Sequence, residues 1–299
     1  MGRIFLWSSI LFLIGSVVFS HSLIQSMQEY RDGKVEYAEN LNYRNRFLDP
    51  DEWLSSEHSK IKLEAAAKAK TELVQIKKQI NRQARFVLVL MLIFFSWTIL
   101  AFLKGRNYRI LVGGFMVLAL ACLHVGLFAP MLEISALERD LNLGALPIRA
   151  KVLGIDVQVQ IEQAFAGDMF FYYQSKSAAE LIDLLFQQKN WVVGLSILLF
   201  SVIFPLSKLS LALGTLLWPK IYQNPYIRYF LEHSGKWSMA DVFVVAVFLA
   251  FLAFNNMQVG ILTESSVLIG LYFFLGYCIL SLMGATWLRK IYAEAKTPA

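Results

Sequence analysis

The sequence has few of the residues from which catalytic or metal centres are built. It holds only two cysteines, Cys122 and Cys278, which lie in apolar runs without a CxxC pair and give no basis for a zinc ribbon or a redox dithiol. Its four histidines are scattered without metal-ligand spacing. Phosphate-loop, GxSxG and HExxH motifs are also missing. We therefore expect no enzyme activity, no metal site and no cofactor, and we expect the cysteines to be packing residues.

Charge is also scarce, because charged residues make up 17% of the chain and hydrophobic residues 57%. The apolar residues are gathered into runs, and a run of about 18 residues suffices to cross a hydrocarbon layer of ~30 Å. These runs predict an all-α polytopic membrane protein rather than a soluble domain. Six transmembrane helices are expected, at 4–24, 86–103, 109–132, 191–217, 241–263 and 266–288.

The basic residues that give the chain its net charge of +6 lie beside these runs, so they do not indicate nucleic-acid binding. They crowd the loop 104–109, the segment 218–240 and the end of the last span. The positive-inside rule places these segments and both termini in the cytoplasm. The long loops 25–85 and 133–190 then lie outside.

The first span has two interpretations. Arg3, the apolar run after it and the segment 18–20 resemble a cleavable signal peptide. Cleavage would leave five spans in the same orientation. We expect an uncleaved anchor, because Ser20 is a weak cleavage residue.

The chain divides into two predicted units, of which the first, 1–104, is a transmembrane hairpin with an extracytoplasmic helical arm at 25–85. Asp49-Pro50 is a helix-start signal, and a narrow apolar stripe runs through Leu73, Ile76 and Ile80. The stripe predicts a hairpin packed within the chain, and a docking arm for another envelope protein is the alternative.

The second unit, 105–299, holds four spans and an outer loop, 133–190, with a strand pattern. Apolar and polar residues alternate from Ile155 to Glu162, which predicts a half-buried strand. Ala166-Gly167-Asp168 is predicted to be a turn, with 169–173 returning antiparallel. An amphipathic helix is expected at 179–188. The second unit is therefore predicted to carry a small extracytoplasmic β-sheet on four membrane helices.

Ionisable and helix-breaking residues inside the spans are the candidate functional residues, because lipid penalises them. Lys208 lies at hydrocarbon depth, and its side chain is expected to face the bundle or a wet cavity; a lysine that snorkels along the lipid surface is the alternative. Pro205, one turn earlier, frees the carbonyl of Ser201 and is expected to bend the helix. The bend fits either a gate or plain packing distortion.

Asp241 also has two interpretations. Ser238 and Asp241 match a capping box at a helix start, and Asp241 could also pair with Lys208 across consecutive antiparallel spans. Other polar residues at depth are His124 and the pair Asn255-Asn256, which are helix–helix hydrogen-bonding residues or line a polar path.

Two segments resemble the paraquat-inducible protein A family (PqiA- and LetA-like proteins): Phe204–Leu209 with Pro205 and Lys208, and Gly235–Val245 with Trp237, Ser238 and Asp241. Ala129-Pro130-Met131 matches a weaker signature. The resemblance covers roughly 110–290 and implies a tetraspanin- or claudin-like four-helix module in the bacterial inner membrane. Better-known members have two modules and zinc ribbons, whereas this chain has one module, no CxxC and an added hairpin.

The resemblance implies an inner-membrane subunit of a cell-envelope lipid transport system that handles phospholipid with an MCE-domain partner. Lipid-path or gating residues are then Pro205, Lys208, Trp237, Ser238 and Asp241, with His124, Asn255 and Asn256 as further candidates. The alternative is a non-transporting assembly or stress-sensing protein that acts through the arm.

Overall fold

A computed structural model describes residues 3–54, 56–152, 155–237, 246 and 262–294. Five of its helical segments are long and apolar enough to cross a membrane. They confirm five of the six expected spans, and the sixth, at 241–263, lies outside the described residues except for position 246 and the first residues of a strand. The five segments are Arg3–Asn40, Lys60–Gly105, Tyr108–Phe128, Trp191–Leu217 and Ile269–Tyr292.

The remaining elements are short. In chain order the helices are α1 (Arg3–Asn40), α2 (Tyr43–Phe47), α3 (Pro50–Leu54), α4 (Ser56–Gly105), α5 (Tyr108–Phe128), α6 (Ala178–Gln187), α7 (Trp191–Leu198), α8 (Phe204–Leu217), α9 (Pro225–Trp237) and α10 (Ile269–Glu294). A π-helical turn (Leu199–Ile203) joins α7 to α8, and a 3₁₀ turn (Pro219–Gln223) precedes α9. The strands are β1 (Leu132–Val152), β2 (Ile155–Lys176) and β3 (Leu262–Val267).

Helix α5 is the centre of the membrane part, with most of its residues buried, Cys122 among them. Close approach to its neighbours depends on glycine. A Cβ added at Gly126 would lie 2.8 Å from the Cα of Phe274 on α10, and one at Gly114 would overlap Thr98 of α4. Small residues of this kind let membrane helices pack backbone to backbone.

Helices α1 and α4 form an antiparallel hairpin that extends well beyond the membrane part. Leu73 and Ile80 of the predicted stripe are buried, at 8% and 5% exposure, and Ile76 is half-buried. In the membrane part, Phe12 stacks on Phe94 with ring centroids 4.1 Å apart. In the described residues, α1 and α4 therefore pack on each other both inside and beyond the membrane part.

The three strands form one antiparallel sheet in the order β2-β1-β3, at the end of the membrane helices that we call the sheet side. β1 follows α5 directly, and β3 leads directly into α10. β3 pairs with residues 132–137 of β1, while β2 pairs with β1 over nearly its whole length. The predicted sheet is therefore present.

The predicted turn at Ala166-Gly167-Asp168 is wrong, because these residues lie inside β2. The segment continues as one strand because β1, which the sequence pattern did not reveal, supplies its partner. Gly167 has φ +83° and its N–H donates to Asp140 Oδ1 at 2.8 Å, within a stretch where the β1–β2 register shifts. The glycine makes a bulge rather than a reversal. The helix expected at 179–188 is confirmed as α6.

The arm is fixed to the sheet by a buried ion pair. Arg46, 2% exposed, contacts Glu52 at 3.0 Å and donates to the carbonyls of Ala166 and Asp168 at 3.1 and 3.3 Å. Its guanidinium also lies over the Phe165 ring. A buried guanidinium that is hydrogen-bonded to several groups in this way fixes the positions of those groups relative to one another.

Asp168 adds a second connection between arm and sheet. It accepts from Tyr37 of α1 and Lys70 of α4, each at 3.0 Å. Although burial opposes the effect, these donors and Arg139 lower the pKa of Asp168. Burial and the Asp168 charge raise the pKa of Tyr37, so its phenol stays a donor. The two predicted units are therefore in contact, and their boundary at 104/105 stays a prediction.

We expect Arg46→Met to destabilise the protein by about 3–5 kcal/mol, because it removes the closer of the two cations beside the buried Glu52 and the donor to the Ala166 and Asp168 carbonyls. The thermal unfolding midpoint of the purified protein in detergent measures the loss. Arg44→Met is the matched control, since Arg44 lies on the same short helix and is exposed. Equal midpoints for the two variants would contradict the role assigned to Arg46.

Candidate functional site

Four of the eight candidate residues lie in the described part of the chain. His124, Pro205 and Lys208 are in membrane helices, and Trp237 is the last residue of α9, where the backbone alone is described. The others are Ser238, Asp241, Asn255 and Asn256, which lie outside the described residues. The capping box and the Lys208–Asp241 ion pair therefore stay predictions.

The bend expected at Pro205 takes the form of the π-helical turn. The N–H of Phe204 donates to the carbonyl of Leu199, five residues earlier. Pro205, the next residue, has no N–H to donate and stands in the first turn of α8. Ser201, whose carbonyl the proline leaves free, is 3% exposed. Single π turns of this kind occur often at functional sites.

Lys208 lies in the middle of the buried face of α8. It is 3% exposed, and Leu209 and Ala212 beside it are fully buried. The expected orientation toward the bundle is confirmed, because a snorkelling lysine would be exposed. A buried ammonium needs polar or ionic contacts, because its removal from water costs free energy. An ionisable residue at this depth is therefore a candidate for a functional role.

An apolar groove of about 540 Å³ opens beside the same stretch of chain. Its walls come from α1, α5 and the segment around the π turn, with Val202 and Leu206 on either side of Pro205. Among the residues that line it, His124 is the titratable one, and its ring lies 5.4 Å from that of Phe128. The lining residues of α5 come from its second half, so the groove lies in the sheet-side half of the membrane.

Pro205 and His124 thus belong to one region, and Lys208 does not line the groove. Leu206 and Lys208 are two residues apart, a rotation of about 200° on an α-helix, so they point to opposite sides of α8. The groove therefore lies on one side of α8 and the buried lysine on the other. The π turn precedes Leu206 and Lys208 in the chain.

The wall that α1 supplies was not predicted from the sequence. Leu13, Ile14, Val17 and Val18 line the groove. In the sequence they are ordinary residues of an apolar span, and a groove-lining residue has the same composition as one that faces lipid. Only the packing of α1 against α5 distinguishes them.

These features define the class of the protein, which is a multi-pass membrane protein with a sheet-bearing domain at one end of its helices. Residues 168–291 match the family model of paraquat-inducible protein A. The match confirms the resemblance to this family that was predicted from Pro205, Lys208 and the segment after Gly235, and we call residues 168–291 the family domain. The comparisons with curated proteins and with solved structures give no match.

The family match begins within β2 and ends in α10. It includes the π turn, Pro205 and Lys208, whereas α1, α4 and α5 precede it. The groove is thus built partly from the family domain and partly from helices outside the match.

Proposed function

We propose that this protein is the inner-membrane subunit of a bacterial cell-envelope lipid transport system, and that the apolar groove holds an acyl chain of a phospholipid. Its sheet side is extracytoplasmic in this proposal, and both termini are cytoplasmic. The subunit has six spans, of which four form the tetraspanin- or claudin-like module, and it works without catalysis.

The observation that supports the proposal most is the groove itself. Its volume of about 540 Å³ and its apolar lining suit a hydrocarbon chain, and it lies where a chain of the sheet-side leaflet would reach it. The π turn and Pro205 make one wall irregular, which is a feature of helices that change shape. Lys208, buried beside this wall, is the proposed gating residue.

We further propose an MCE-domain protein as the partner that receives or delivers the lipid on the sheet side. The hairpin α1–α4 reaches far from the membrane on this side. Its connection to the sheet through Arg46 gives a partner a fixed surface to contact.

We expect Ile14→Trp to reduce the phospholipid that co-purifies with the protein several-fold, because the indole would occupy the groove. Phospholipid per protein is measured by mass spectrometry after purification. Ile10→Trp is the matched control, one turn away on α1; Ile10 is 41% exposed and does not line the groove, and Ile14 is 59% exposed. Unchanged phospholipid in Ile14→Trp would contradict the assignment of the groove.

We expect Lys208→Met to abolish envelope barrier function in a strain that depends on this protein, although the groove and its lipid remain. Methionine keeps the packing of the stem and removes the ammonium. The assay is growth in the presence of detergents and large antibiotics, with the amount of protein in the membrane measured alongside. Lys220→Met, at an exposed position, should behave like the native protein. A fully active Lys208→Met variant would remove Lys208 from the mechanism.

The alternative, an assembly or stress-sensing protein that acts through the arm, is favoured by one observation. A cleft of about 320 Å³ opens between α1 and α4 on the sheet side, with Tyr37, Leu41 and Ala66 among its lining residues. A partner helix could insert there.

Ala66→Trp distinguishes the two functions, because the indole would fill this cleft and leave the membrane groove unchanged. If the arm is the working part, the variant loses barrier function while its phospholipid content stays native. Ala67→Trp is the matched control, on the exposed side of the same helix. Native barrier function in Ala66→Trp would leave lipid transport as the remaining function of the two.

A further inference from the structure

A second opening, which we call the polar cleft, lies on the sheet side where α1, β2 and α6 meet. Its volume is about 450 Å³. The cleft lies close to the membrane surface, because Lys176 at the end of β2 pairs with Leu132, four residues after α5 ends. Its charged lining residues are two cations, Arg31 and Lys176, and three carboxylates, Asp32, Glu180 and Asp183.

Two hydroxyl groups in the polar cleft point to a ligand. Ser175 is 4% exposed, and neither its hydroxyl nor that of Tyr173 has a hydrogen-bond partner of good geometry among the described residues, although the two hydroxyls lie close enough to each other to interact. Buried polar groups in proteins are nearly always paired. Lys34, which is bonded to Glu133, lies 5.6 Å from the centre of the Tyr173 ring and holds it in place. Burial and the Glu133 charge raise the pKa of Tyr173, so the phenol remains a donor.

Some charged residues of the polar cleft form ion pairs with one another, and others do not. Arg31 forms ion pairs with Asp32 and Glu180, so its charge is already used. Lys176 has no ion pair within the described part of the chain, and Asp183 accepts one bond from Gln187 at 2.7 Å. Lys176 and the two hydroxyls can therefore bind an anionic group, while Asp183 remains available to a cationic one, since Asp32 and Glu180 are paired with Arg31.

The polar cleft and the apolar groove lie on one face of α1. Ile14 and Val17 line the groove, and Asp32 and Val35 line the cleft five helical turns further on. The nearest lining residues of the two openings on α1, Val18 and Arg31, are ~20 Å apart along the helix, which is close to the ~20 Å thickness of one leaflet with its headgroups. Exposed and half-buried polar residues of the same face connect them: His21, Gln25 and Gln28.

We propose that one glycerophospholipid with a zwitterionic, amine-bearing headgroup binds along this face of α1. One acyl chain occupies the apolar groove. The phosphate is bound by Lys176 and the hydroxyls of Tyr173 and Ser175, and the ammonium group by Asp183. The headgroup then stands outward of its normal layer, because Arg31 lies ~10 Å beyond residue 24, where the first apolar run ends. This inference rests on the proposed function, since it names the lipid and its pose.

Charge complementarity favours the zwitterion over an anionic lipid. The polar cleft has one more carboxylate than cations, so a phosphoglycerol headgroup would add a further negative charge. A phosphoethanolamine headgroup adds none, and its ammonium gives Asp183 a donor. The polar cleft therefore selects among lipids, whereas the apolar groove does not.

The full-length protein reconstituted in nanodiscs of equal parts phosphatidylethanolamine and phosphatidylglycerol tests the proposal. After repurification in detergent, the bound lipids are quantified by mass spectrometry. The native protein should retain the ethanolamine lipid in roughly tenfold excess, as expected for hydrogen bonds to charged groups. Asp183→Asn should reduce the excess toward equality, because it removes the carboxylate that binds the ammonium group, whereas Lys176→Ala, which removes a contact to the phosphate that both lipids share, should lower the total bound lipid. Lys78→Ala, at an exposed position of α4, should keep both the excess and the total.

The outcomes separate this proposal from the proposed function. Bound lipid without a headgroup preference, or a preference unchanged in Asp183→Asn, overturns the role of the polar cleft and leaves lipid transport intact. The absence of any bound lipid in the native protein overturns both. Inorganic phosphate added at millimolar concentration should leave the preference unchanged, and its loss would make the polar cleft a site for soluble phosphate instead.

Discussion

The buried ion pair between Arg46 and Glu52 is the interaction on which the rest of the arrangement depends. Arg46 bonds to β2 carbonyls at Ala166 and Asp168 as well as to Glu52, so a short helix of the arm and a strand of the sheet become one rigid unit. The ion pairs that Lys34 and Lys70 of the arm make with the sheet are more exposed, with 23% and 62% of the lysine side chains accessible. Because α1 forms a wall of both the apolar groove and the polar cleft, this unit fixes the two openings relative to each other.

The residues of the site come from both predicted units of the chain, 1–104 and 105–299. The family domain supplies the π turn, Pro205 and the second half of β2, while α1 lies outside the match and supplies the opposite wall. Such a groove forms only when the added hairpin packs on the family domain. The hairpin is therefore part of the proposed lipid path as well as a surface for a partner.

The membrane helices could be predicted, because the thickness of the hydrocarbon layer sets the length of an apolar span. The buried stripe of α4 could be predicted, because apolar residues at helical spacing mark the packed face of a helix. Burial of Lys208 was also predictable from its depth. The turn at Gly167 was predicted wrongly, since a glycine at positive φ fits a bulge as well as a reversal, and only the partner strand β1 decides between them. The apolar wall at Ile14 and the unpaired hydroxyl of Ser175 are properties of packing, and no pattern in the sequence marks them.

The unbroken length of α1 has a mechanical consequence. A helix of 38 residues is a rod of ~57 Å, with the groove near one end and the sheet contacts near the other. A tilt of ~10° displaces one end by ~10 Å relative to the other. The far end is held to the sheet by Tyr37 and, just beyond it, by Arg46. Under the proposed function, a force applied to the sheet outside the bilayer would therefore tilt α1 and change the width of the groove inside it.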